Sequence, residues 1–318
     1  MDNNISMFGE YVFYEDSKEI YRSKNLLTKF GKRYLTQYLA GQSTNTLKDI
    51  ALGVGSTAAT VNDTQLGFEF YKSAVTMNSI DIQTSSSTGI STYGVVHKTT
   101  IPVDVAGIIN EVGLFPNVIL GSTDYASNSI STFENNQSWT DSTGAYPSSV
   151  TTPFPKIGTS YLSIGAAASQ SKEYFYNFDL DVSGYSALDS LTLAYYQSDT
   201  NLDYVFVRMY DSNNNYYEIR YTGELSVGYK IKSLTLNNLY SSGFGVGTPD
   251  QTSIVKISCG VKAKSSGATV ALFDGMRIND EDSFRTDYGM ISRSVLTNPI
   301  TKSLGKQMVI EYRIGLSF

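Results

Sequence analysis

The segment Ile101–Gly121, IPVDVAGIINEVGLFPNVILG, decides the fold of this chain because it marks the point where one pattern is interrupted. Two apolar, strand-like runs are joined through Gly107, and a long segment rich in Ser, Thr and Asn follows them. The strand pattern returns near the end of the chain, in GMISRSVLTNPITKSLGKQMVIEYRIGLSF from Gly289 onward. We therefore predict that Val112–Phe115 and Ser292–Leu296 lie in one sheet, with a second module inserted between them.

The composition favours a mainly β protein. Of the 318 residues, 41% are hydrophobic and 17% are charged, below the charged fraction of about 25% in ordinary globular domains. Ser, Thr, Asn, Gly and Tyr are abundant instead, which favours strands and turns over helices. The net charge is −6, with no block of Lys or Arg. Nucleic acid is therefore not expected as a partner, because binding phosphates requires cationic side chains.

The N-terminus, MDNNISMFGEYVF, has neither the basic region nor the apolar region of a signal peptide. No apolar run approaches the roughly 18 residues that a membrane helix needs, so we expect no membrane insertion. The single cysteine, Cys259, cannot form an intrachain disulfide. It alternates with apolar residues in a strand-like run, which predicts a buried structural thiol.

One helix is predicted, over Leu26–Leu39, with Ser23 or Asn25 as its N-cap and Gly41 as its stop. The following segment, GVGSTA from Gly53, matches a dinucleotide-binding pattern. That motif requires a helix to open within the glycine turn, and no apolar residues at helical spacing follow it here. The glycines are better interpreted as a strand end and a turn.

The order of the helix, IALGVGSTAATVNDTQLG, INEVGLF and SRSVLTNPITKSLGKQMVIEYRI resembles a group of tailed-bacteriophage virion structural proteins, over about residues 20–118 and 289–318. In that group the EVGLF-like strand is soon followed by the RSVLTNPITK-like strand, whereas about half of this chain separates Phe115 from Arg293. The resemblance implies a β-rich base domain with one N-terminal helix, residues 1–122 plus 287–318. It also implies a location in the virion, in the tail or attachment region, with other virion proteins and copies of this chain as partners.

The inserted segment, residues 123–286, contains eight strand candidates at the short spacing of a β-sandwich. Polar turns such as Asp211–Asn215 separate them, and eight strands suit two packed antiparallel sheets in a jelly roll. The candidates are Tyr161–Ile164, Glu173–Leu180, Ser190–Tyr196, Tyr204–Tyr210, Tyr216–Tyr221, Gly228–Leu234, Ser253–Val261 and Thr269–Ile278.

Three stretches of the insert, YFYNFDLDVSGYSALDSLTLAYY, VRMYDSNNNYYEIRY and VALFDGMRI, resemble jelly-roll modules of the carbohydrate-binding or galactose-binding-like group. Such modules often carry a structural calcium, held by a carboxylate of the closing strand and another near the first strand. The resemblance implies Asp274 and Glu134 as these ligands, and carboxylate oxygens are what Ca²⁺ prefers. Gly275 stands where a second acid is common. No other cofactor is expected.

Recognition of a host surface glycan is the alternative function, because pyranose rings stack on aromatic faces. The candidate aromatic residues are Trp139, Tyr146, Tyr195, Tyr196, Tyr216 and Tyr217. An enzyme is not expected. His97 is the only histidine, and no nucleophile elbow accompanies it. The neighbouring carboxylates in the sequence carry no signature of the pocket that a glycosidase needs. His97 is interpreted as a strand residue. Two principal hypotheses remain, a virion structural protein and a glycan-binding adhesin, with a depolymerase as a third.

Overall fold

The computed structural model describes residues 6–42, 48–84, 91–116, 129–185, 189–279 and 289–317. Strands account for 56% and helices for 6%, so the chain is mainly β, as the composition predicts. It forms two compact units, a base unit of Met1–Asp124 with Ser283–Phe318 and an inserted unit of Tyr125–Asp282. The boundaries predicted near residues 122 and 287 lie outside the described residues. None of the helices described is long and apolar enough to cross a membrane.

The described residues contain twenty strands and two α-helices, which we number in chain order. They are β1 (Ser6–Glu15), β2 (Lys18–Lys24), β3 (Leu26–Leu27), α1 (Lys29–Leu39), β4 (Lys48–Gly53), β5 (Glu69–Ala74), β6 (Met77–Thr84), β7 (Ser91–Ile101), β8 (Gly107–Pro116), β9 (Ser129–Ser131), β10 (Ser148–Val150), β11 (Tyr161–Ala166), β12 (Ser171–Leu180), β13 (Ser190–Gln197), β14 (Leu202–Asp211), β15 (Tyr216–Thr222), β16 (Gly228–Thr235), α2 (Leu236–Tyr240), β17 (Ile254–Ala263), β18 (Thr269–Asn279), β19 (Ser292–Lys302) and β20 (Met308–Ser317).

The base unit consists of α1 and two five-stranded antiparallel sheets. One sheet has the order β2-β1-β20-β7-β6, and the other has the order β3-β19-β8-β4-β5. Both therefore include a strand from the C-terminal segment, β20 or β19. The chain leaves the base unit after β8, and each sheet is complete only when the chain returns with β19 and β20.

The pairing of β8 with β19 joins the two segments of the base unit. Leu114 lies opposite Ser292, and Val112 lies opposite Ser294, in an antiparallel ladder. Just before β19, the backbone N–H of Ile291 donates to the carbonyl of Leu114 at 2.7 Å. The prediction that Val112–Phe115 and Ser292–Leu296 share a sheet is thus confirmed.

The helix begins later than predicted. Leu26 and Leu27 form β3, which pairs with the start of β19, and α1 begins only at Lys29. The hydroxyl of Thr28 accepts a hydrogen bond from the backbone N–H of Gly31 at 2.9 Å, so Thr28 serves as the cap. The prediction of Ser23 or Asn25 as N-cap was wrong, because β19 draws the two leucines into a sheet.

The core of the base unit is built from aromatic and branched residues of both sheets. Tyr11 and Tyr312 are fully buried, and their ring centroids lie 4.9 Å apart. The hydroxyl of Tyr11 also bonds to the hydroxyl of Ser292 at 2.7 Å, which satisfies the phenol inside the core. N-terminal and C-terminal segments therefore share one core.

The inserted unit is an antiparallel β-sandwich. One sheet has the order β10-β11-β18-β13-β16, with β9 also paired to β18, and the second has the order β12-β17-β14-β15. The eight predicted strands correspond in order to β11–β18. The short strands β9 and β10 and the helix α2 were not predicted.

The two sheets of the inserted unit enclose a separate hydrophobic core. Trp139 is 1% exposed and lies between Phe133 and Tyr176, with centroid distances of 5.0 and 5.2 Å. Cys259 is buried in the same core, and burial raises the pKa of its thiol well above the ordinary value. A buried, protonated thiol is a packing group, in agreement with the sequence prediction.

Candidate functional site

The outer face of the four-stranded sheet carries aromatic and charged side chains. Along β14, the alternate residues Val205, Val207 and Met209 enter the core, so the residues between them face outward. We call this outer face the platform. It comprises Glu173, Phe175, Tyr204, Phe206, Arg208, Tyr210, Tyr216, Glu218, Arg220, Lys256, Ser258 and Lys262, with Phe244 from the loop after α2.

Strand register brings the platform residues together from distant parts of the chain. Arg208 lies opposite Glu218 on one side and Ser258 on the other. Phe206 lies between Arg220 and Gly260 in the same way. A Cβ atom at position 260 would come within 2.2 Å of the Phe206 ring, so only glycine leaves room for that ring.

Two arginines and two glutamates form an ion network on the platform. Arg208 donates through Nε to Glu218 at 2.7 Å and through Nη1 to Glu173 at 2.8 Å. Arg220 donates through Nε to the other oxygen of Glu218. Burial alone would lower the pKa of Arg208, but its hydrogen bond to Glu218 and the charge of Glu173 outweigh burial and raise it. The ion pairs with Glu218 and Glu173 therefore fix the positions of both guanidinium groups.

The same cations lie over aromatic rings. Arg208 is 4.6 Å from the ring centroid of Phe206, and Arg220 is 4.6 Å from that of Tyr204. Lys256 lies 4.4 Å from the ring centroid of Tyr210. Such cation–π contacts, together with the ion network, hold the cations against the buried rings of Phe206 and Tyr210 and the half-buried ring of Tyr204. The platform is thus largely ordered before any ligand binds.

A glycine-rich loop, SSGFGVG from Ser241, forms one border of the platform. Val246 exchanges two backbone hydrogen bonds with Tyr216, at 3.0 and 2.9 Å, so the loop covers the edge strand β15. A Cβ at position 245 would lie 2.5 Å from the carbonyl oxygen of Tyr216, which explains the glycine there. Phe244 is 44% exposed and lies 3.6 Å from the guanidinium of Arg220.

Arg220 is therefore held between two rings, those of Tyr204 and Phe244, while its Nη1 and Nη2 groups have no hydrogen-bond partner among the described residues. The platform offers aromatic faces and planar hydrogen-bonding groups on one surface. This combination can hold a sugar ring by stacking and its oxygens by hydrogen bonds.

Most of the predicted glycan-binding residues do not lie on the platform. Trp139 and Tyr195 are 1% and 0% exposed in the core, so the prediction that their rings contact a ligand was wrong. Tyr217 points inward and packs on the Tyr240 ring with a centroid distance of 5.0 Å. Strand alternation directs Tyr195 and Tyr217 to the inner sides of their sheets, and Trp139, which follows the short 3₁₀ helix Asn136–Ser138, is covered by Phe133 and Tyr176.

The three remaining candidates lie at the surface in different places. Tyr216 belongs to the platform, with its ring centroid 4.9 Å from that of Tyr210. Tyr196 is half-buried on the other sheet, opposite Tyr229. Tyr146 is 58% exposed in the loop before β10. Only Tyr216 among the six is thus part of the aromatic and cationic face.

Sequence reasoning missed Tyr204, Phe206, Arg208 and Arg220. A usable signal was present, because YVFVRMY in β14 alternates aromatic or basic residues with aliphatic ones. In YYEIRY of β15 the charged residues Glu218 and Arg220 also alternate with core residues, but the core residues include Tyr217 and Tyr221. The 24 tyrosines of the chain make this alternation hard to recognise in the sequence.

The predicted calcium ligands, Glu134 and Asp274, flank one short segment. Both carboxylate oxygens of Glu134 accept from the backbone N–H of Thr159 at 3.0 Å. The Oδ2 of Asp274 accepts from the Tyr229 hydroxyl at 2.6 Å and from the backbone N–H of Ile157 at 3.1 Å. The other oxygen, Oδ1, is buried without a hydrogen-bond partner in the described part of the chain.

Burial, with a further contribution from the charge of Glu134, raises the pKa of Asp274 to about 7. A buried carboxylate oxygen without a hydrogen-bond partner fits a cation. No three His, Cys, Asp or Glu side chains converge among the residues described, so carbonyl or water oxygens would have to complete the coordination. Asp274 therefore fits a cation ligand through Oδ1, while both oxygens of Glu134 already accept hydrogen bonds from Thr159.

The glycine-rich segment after β4 serves Glu111 of β8. The backbone N–H groups of Gly55, Gly67 and Phe68 all donate to the Glu111 carboxylate, at 2.9 to 3.0 Å. Arg293 donates to the same carboxylate through Nε at 3.0 Å and Nη2 at 2.7 Å. Donors that could bind a phosphate are thus used within the fold, in agreement with a structural role for these glycines.

His97 is a strand residue with a structural role. It is 6% exposed, and its ring stacks on Tyr312 at a centroid distance of 6.0 Å. Burial, with a smaller effect from Lys48, lowers its pKa to about 4, so the ring is neutral at physiological pH.

Comparison of the sequence with protein families and with characterised proteins finds no match. Similar solved structures include the family 11 carbohydrate-binding module of Clostridium thermocellum, with 15% identity, 48% of this chain and 94% of the module covered, and a TM-score of 0.34. An exo-β-agarase has 16% identity, with 49% of this chain and 25% of its own chain covered, at a TM-score of 0.35.

The enzymatically active domain of tailspike protein 4 from bacteriophage CBA120 has 12% identity, with 49% of this chain and 22% of its own chain covered, at a TM-score of 0.31. This chain therefore spans about a quarter of the length of the agarase and of the tailspike domain. Similarities at this level assign neither a family nor a function to the chain.

Proposed function

We propose that the inserted unit binds saccharides on the platform of its four-stranded sheet. The observation that carries this proposal is the combination of the half-buried rings of Tyr204 and Tyr216 and the exposed ring of Phe244 with arginines whose guanidinium groups are already fixed. The Arg220 guanidinium lies over the rings of both Tyr204 and Phe244 at the border of the sheet, and Tyr216 packs against the buried ring of Tyr210. Because the ion network fixes these groups before binding, little conformational entropy is lost when a ligand binds.

The test is saccharide binding by the full chain on an array of bacterial surface polysaccharides. Phe244→Ala and Arg220→Ala should each weaken binding about tenfold, a loss of about 1.4 kcal/mol, because each removes a stacking or hydrogen-bonding group. Phe244 is on an exposed loop, so its replacement should leave the fold intact.

Tyr146→Ala is the matched control, since this exposed aromatic residue is not part of the platform. It should bind as the parent chain does. Failure of the parent chain to bind any saccharide would contradict the proposal. Loss of binding in Tyr146→Ala with full binding in Phe244→Ala would also contradict it.

The base unit has its own part in the proposal, as the docking element of a tailed-phage virion structural protein of the tail or attachment region. The sequences that carry the resemblance meet in one network, in which Glu111 of INEVGLF joins Arg293 of SRSVLTNPITK to the glycine-rich loop. Their assembly into one buried cluster supports the view that they define a common base fold. Several copies docked in a particle would multiply a weak saccharide affinity.

Mass spectrometry and electron microscopy of purified particles test this docking role. The chain should copurify with the virion at a fixed stoichiometry and occupy a defined position in the map. Its absence from particles that infect normally would contradict the docking role, while the saccharide-binding test would be unaffected.

Calcium binding by Asp274 and Glu134 completes the proposal, and the ion would neutralise the buried carboxylate. The pKa of Asp274 is about 7, so the carboxyl is protonated at low pH and charged above pH 7. A raised carboxyl pKa stabilises the fold at low pH, and that stability is lost as the pH rises through about 7. The stabilisation that calcium provides should therefore increase as the pH rises through about 7.

At about pH 8, calcium at a hundred times its dissociation constant should add about 2.7 kcal/mol, or roughly 5–10 °C in melting temperature. At about pH 5 the increase should be much smaller, because a protonated ligand does not hold the ion. Differential scanning calorimetry in EDTA and in calcium measures both values. Asp274→Asn should remove the response, and an equal response at both pH values would contradict the assignment.

A further inference from the structure

We infer that the saccharide bound by the platform is anionic, bearing carboxylate or phosphate groups. This inference rests on the proposed function of the same surface and adds the class of ligand. Its basis is the balance of charges and of unsatisfied hydrogen-bonding groups on the platform, which favours a ligand rich in acceptors over a neutral sugar.

The platform is positively charged in an otherwise acidic chain. Among its residues, four are cationic and two are anionic, whereas the whole chain has a net charge of −6. The cationic residues are Arg208, Arg220, Lys256 and Lys262, and the anionic residues are Glu173 and Glu218. A local excess of positive charge on an acidic protein attracts anions to this face in particular.

The acceptors of the platform are mostly satisfied within it. Glu218 is 1% exposed, and each of its oxygens accepts from an arginine Nε, of Arg208 or Arg220. The Oε2 atom of Glu173 accepts from Arg208 at 2.8 Å and from the Ser258 hydroxyl at 3.1 Å. A neutral sugar hydroxyl that must donate a hydrogen bond therefore finds few free carboxylate acceptors.

Several hydrogen-bond donors of the platform, by contrast, have no partner within it. Nη1 and Nη2 of Arg220 and Nη2 of Arg208 have no hydrogen-bond partner among the described residues. The Arg220 side chain is 31% exposed, so these groups reach solvent. Because Glu218 holds the Nε of Arg220, the two Nη groups form a fork that matches the two oxygens of a carboxylate or phosphate.

The rings beside Arg220 complete the match. The Arg220 guanidinium lies over both rings, 4.6 Å from the Tyr204 centroid and 3.6 Å from the Phe244 centroid, and these contacts restrict its position. An acidic sugar can present its charged group to the fork while its ring packs against Phe244. Arg220 is thus the residue that should discriminate acidic from neutral saccharides.

The experiment measures binding of the full chain to polygalacturonate, to its carboxyl-reduced form, to a glycerol-phosphate teichoic acid and to a single-stranded oligonucleotide. At least one of the two anionic saccharides should bind about tenfold or more tightly than the reduced polymer. Preference for polygalacturonate would identify carboxylate as the recognised group, and preference for teichoic acid would identify phosphate. Binding should also weaken as salt rises, since screening reduces charge attraction at an exposed site.

Variants of Arg220 make the test specific. Arg220→Gln should lose the preference for the anionic polymer, and Arg220→Lys should recover only part of it, because lysine keeps the charge without the fork. Arg22→Gln is the matched control, an exposed, ion-paired arginine of the base unit, and it should change nothing.

The outcomes separate the two proposals. Equal affinity for polygalacturonate and its reduced form, with no preference for teichoic acid, would overturn the inference and leave saccharide binding intact. Binding of the oligonucleotide as tightly as any saccharide would also overturn it. Failure to bind any of the polymers, charged or neutral, would overturn saccharide binding itself.

Discussion

Replacing Glu111 by glutamine should destabilise the base unit by about 3–5 kcal/mol, the cost of leaving a buried charge without its partner. Glu111 is 0% exposed and accepts five hydrogen bonds, three from backbone N–H groups and two from Arg293. Glutamine would direct an NH₂ group at one set of donors whichever way it turned. Among the residues that the structure describes, Arg293 would then retain only Asp63 as an ion-pair partner.

Trp139 is the single tryptophan and lies in the core of the inserted unit, so its fluorescence reports on the unfolding of that unit. Urea unfolding followed by circular dichroism should show an earlier transition in Glu111→Gln, while the fluorescence transition of Trp139 should not move. Glu10→Gln is the matched control, since Glu10 pairs with the exposed Arg22, and its loss should cost less than about 1 kcal/mol. Equal stability of Glu111→Gln and Glu10→Gln would contradict the structural role of the network.

Replacing Trp139 by alanine should destabilise the inserted unit by about 3–5 kcal/mol, the usual cost of removing a large buried aromatic side chain. The ring fills space between Phe133 and Tyr176, and its removal would leave a cavity there. Calorimetry should record a fall of roughly 10 °C in the melting transition of this unit.

The same variant separates packing from recognition. In the cold, where Trp139→Ala remains folded, its saccharide binding should equal that of the parent chain, because Trp139 is not part of the platform. Tyr146→Ala should melt as the parent chain does, since its ring is 58% exposed. A folded Trp139→Ala chain that no longer bound saccharide would indicate that the site is elsewhere.

Much of the fold could be predicted from local patterns. The alternation of apolar residues and the polar turns located all eight principal strands of the sandwich, β11–β18, within a few residues. The motif pair at Val112–Phe115 and Ser292–Leu296 predicted a sheet across the insertion, and β8 and β19 form it. These features could be predicted because they depend on residues that are close in sequence, or on the order of motifs along the chain.

The candidate site could be predicted only in part, because the sequence does not show which tyrosines face outward. Tyr216 and Tyr217 are adjacent, yet Tyr216 joins the platform and Tyr217 packs inward. The helix start was misplaced for a related reason, since the pairing of Leu26 and Leu27 with β19 overrode their helical spacing.

The sequence alone therefore determined a mainly β chain, an insertion and the strands of the sandwich, because side-chain alternation and turn chemistry act over a few residues. The tertiary structure decided the platform, where Arg208, Glu218 and Glu173 meet from three strands. It likewise decided the partners of Glu111, which come from both sides of the inserted unit along the chain. Register between distant strands sets such contacts, and a shift of one residue would turn every side chain of a strand to the opposite face.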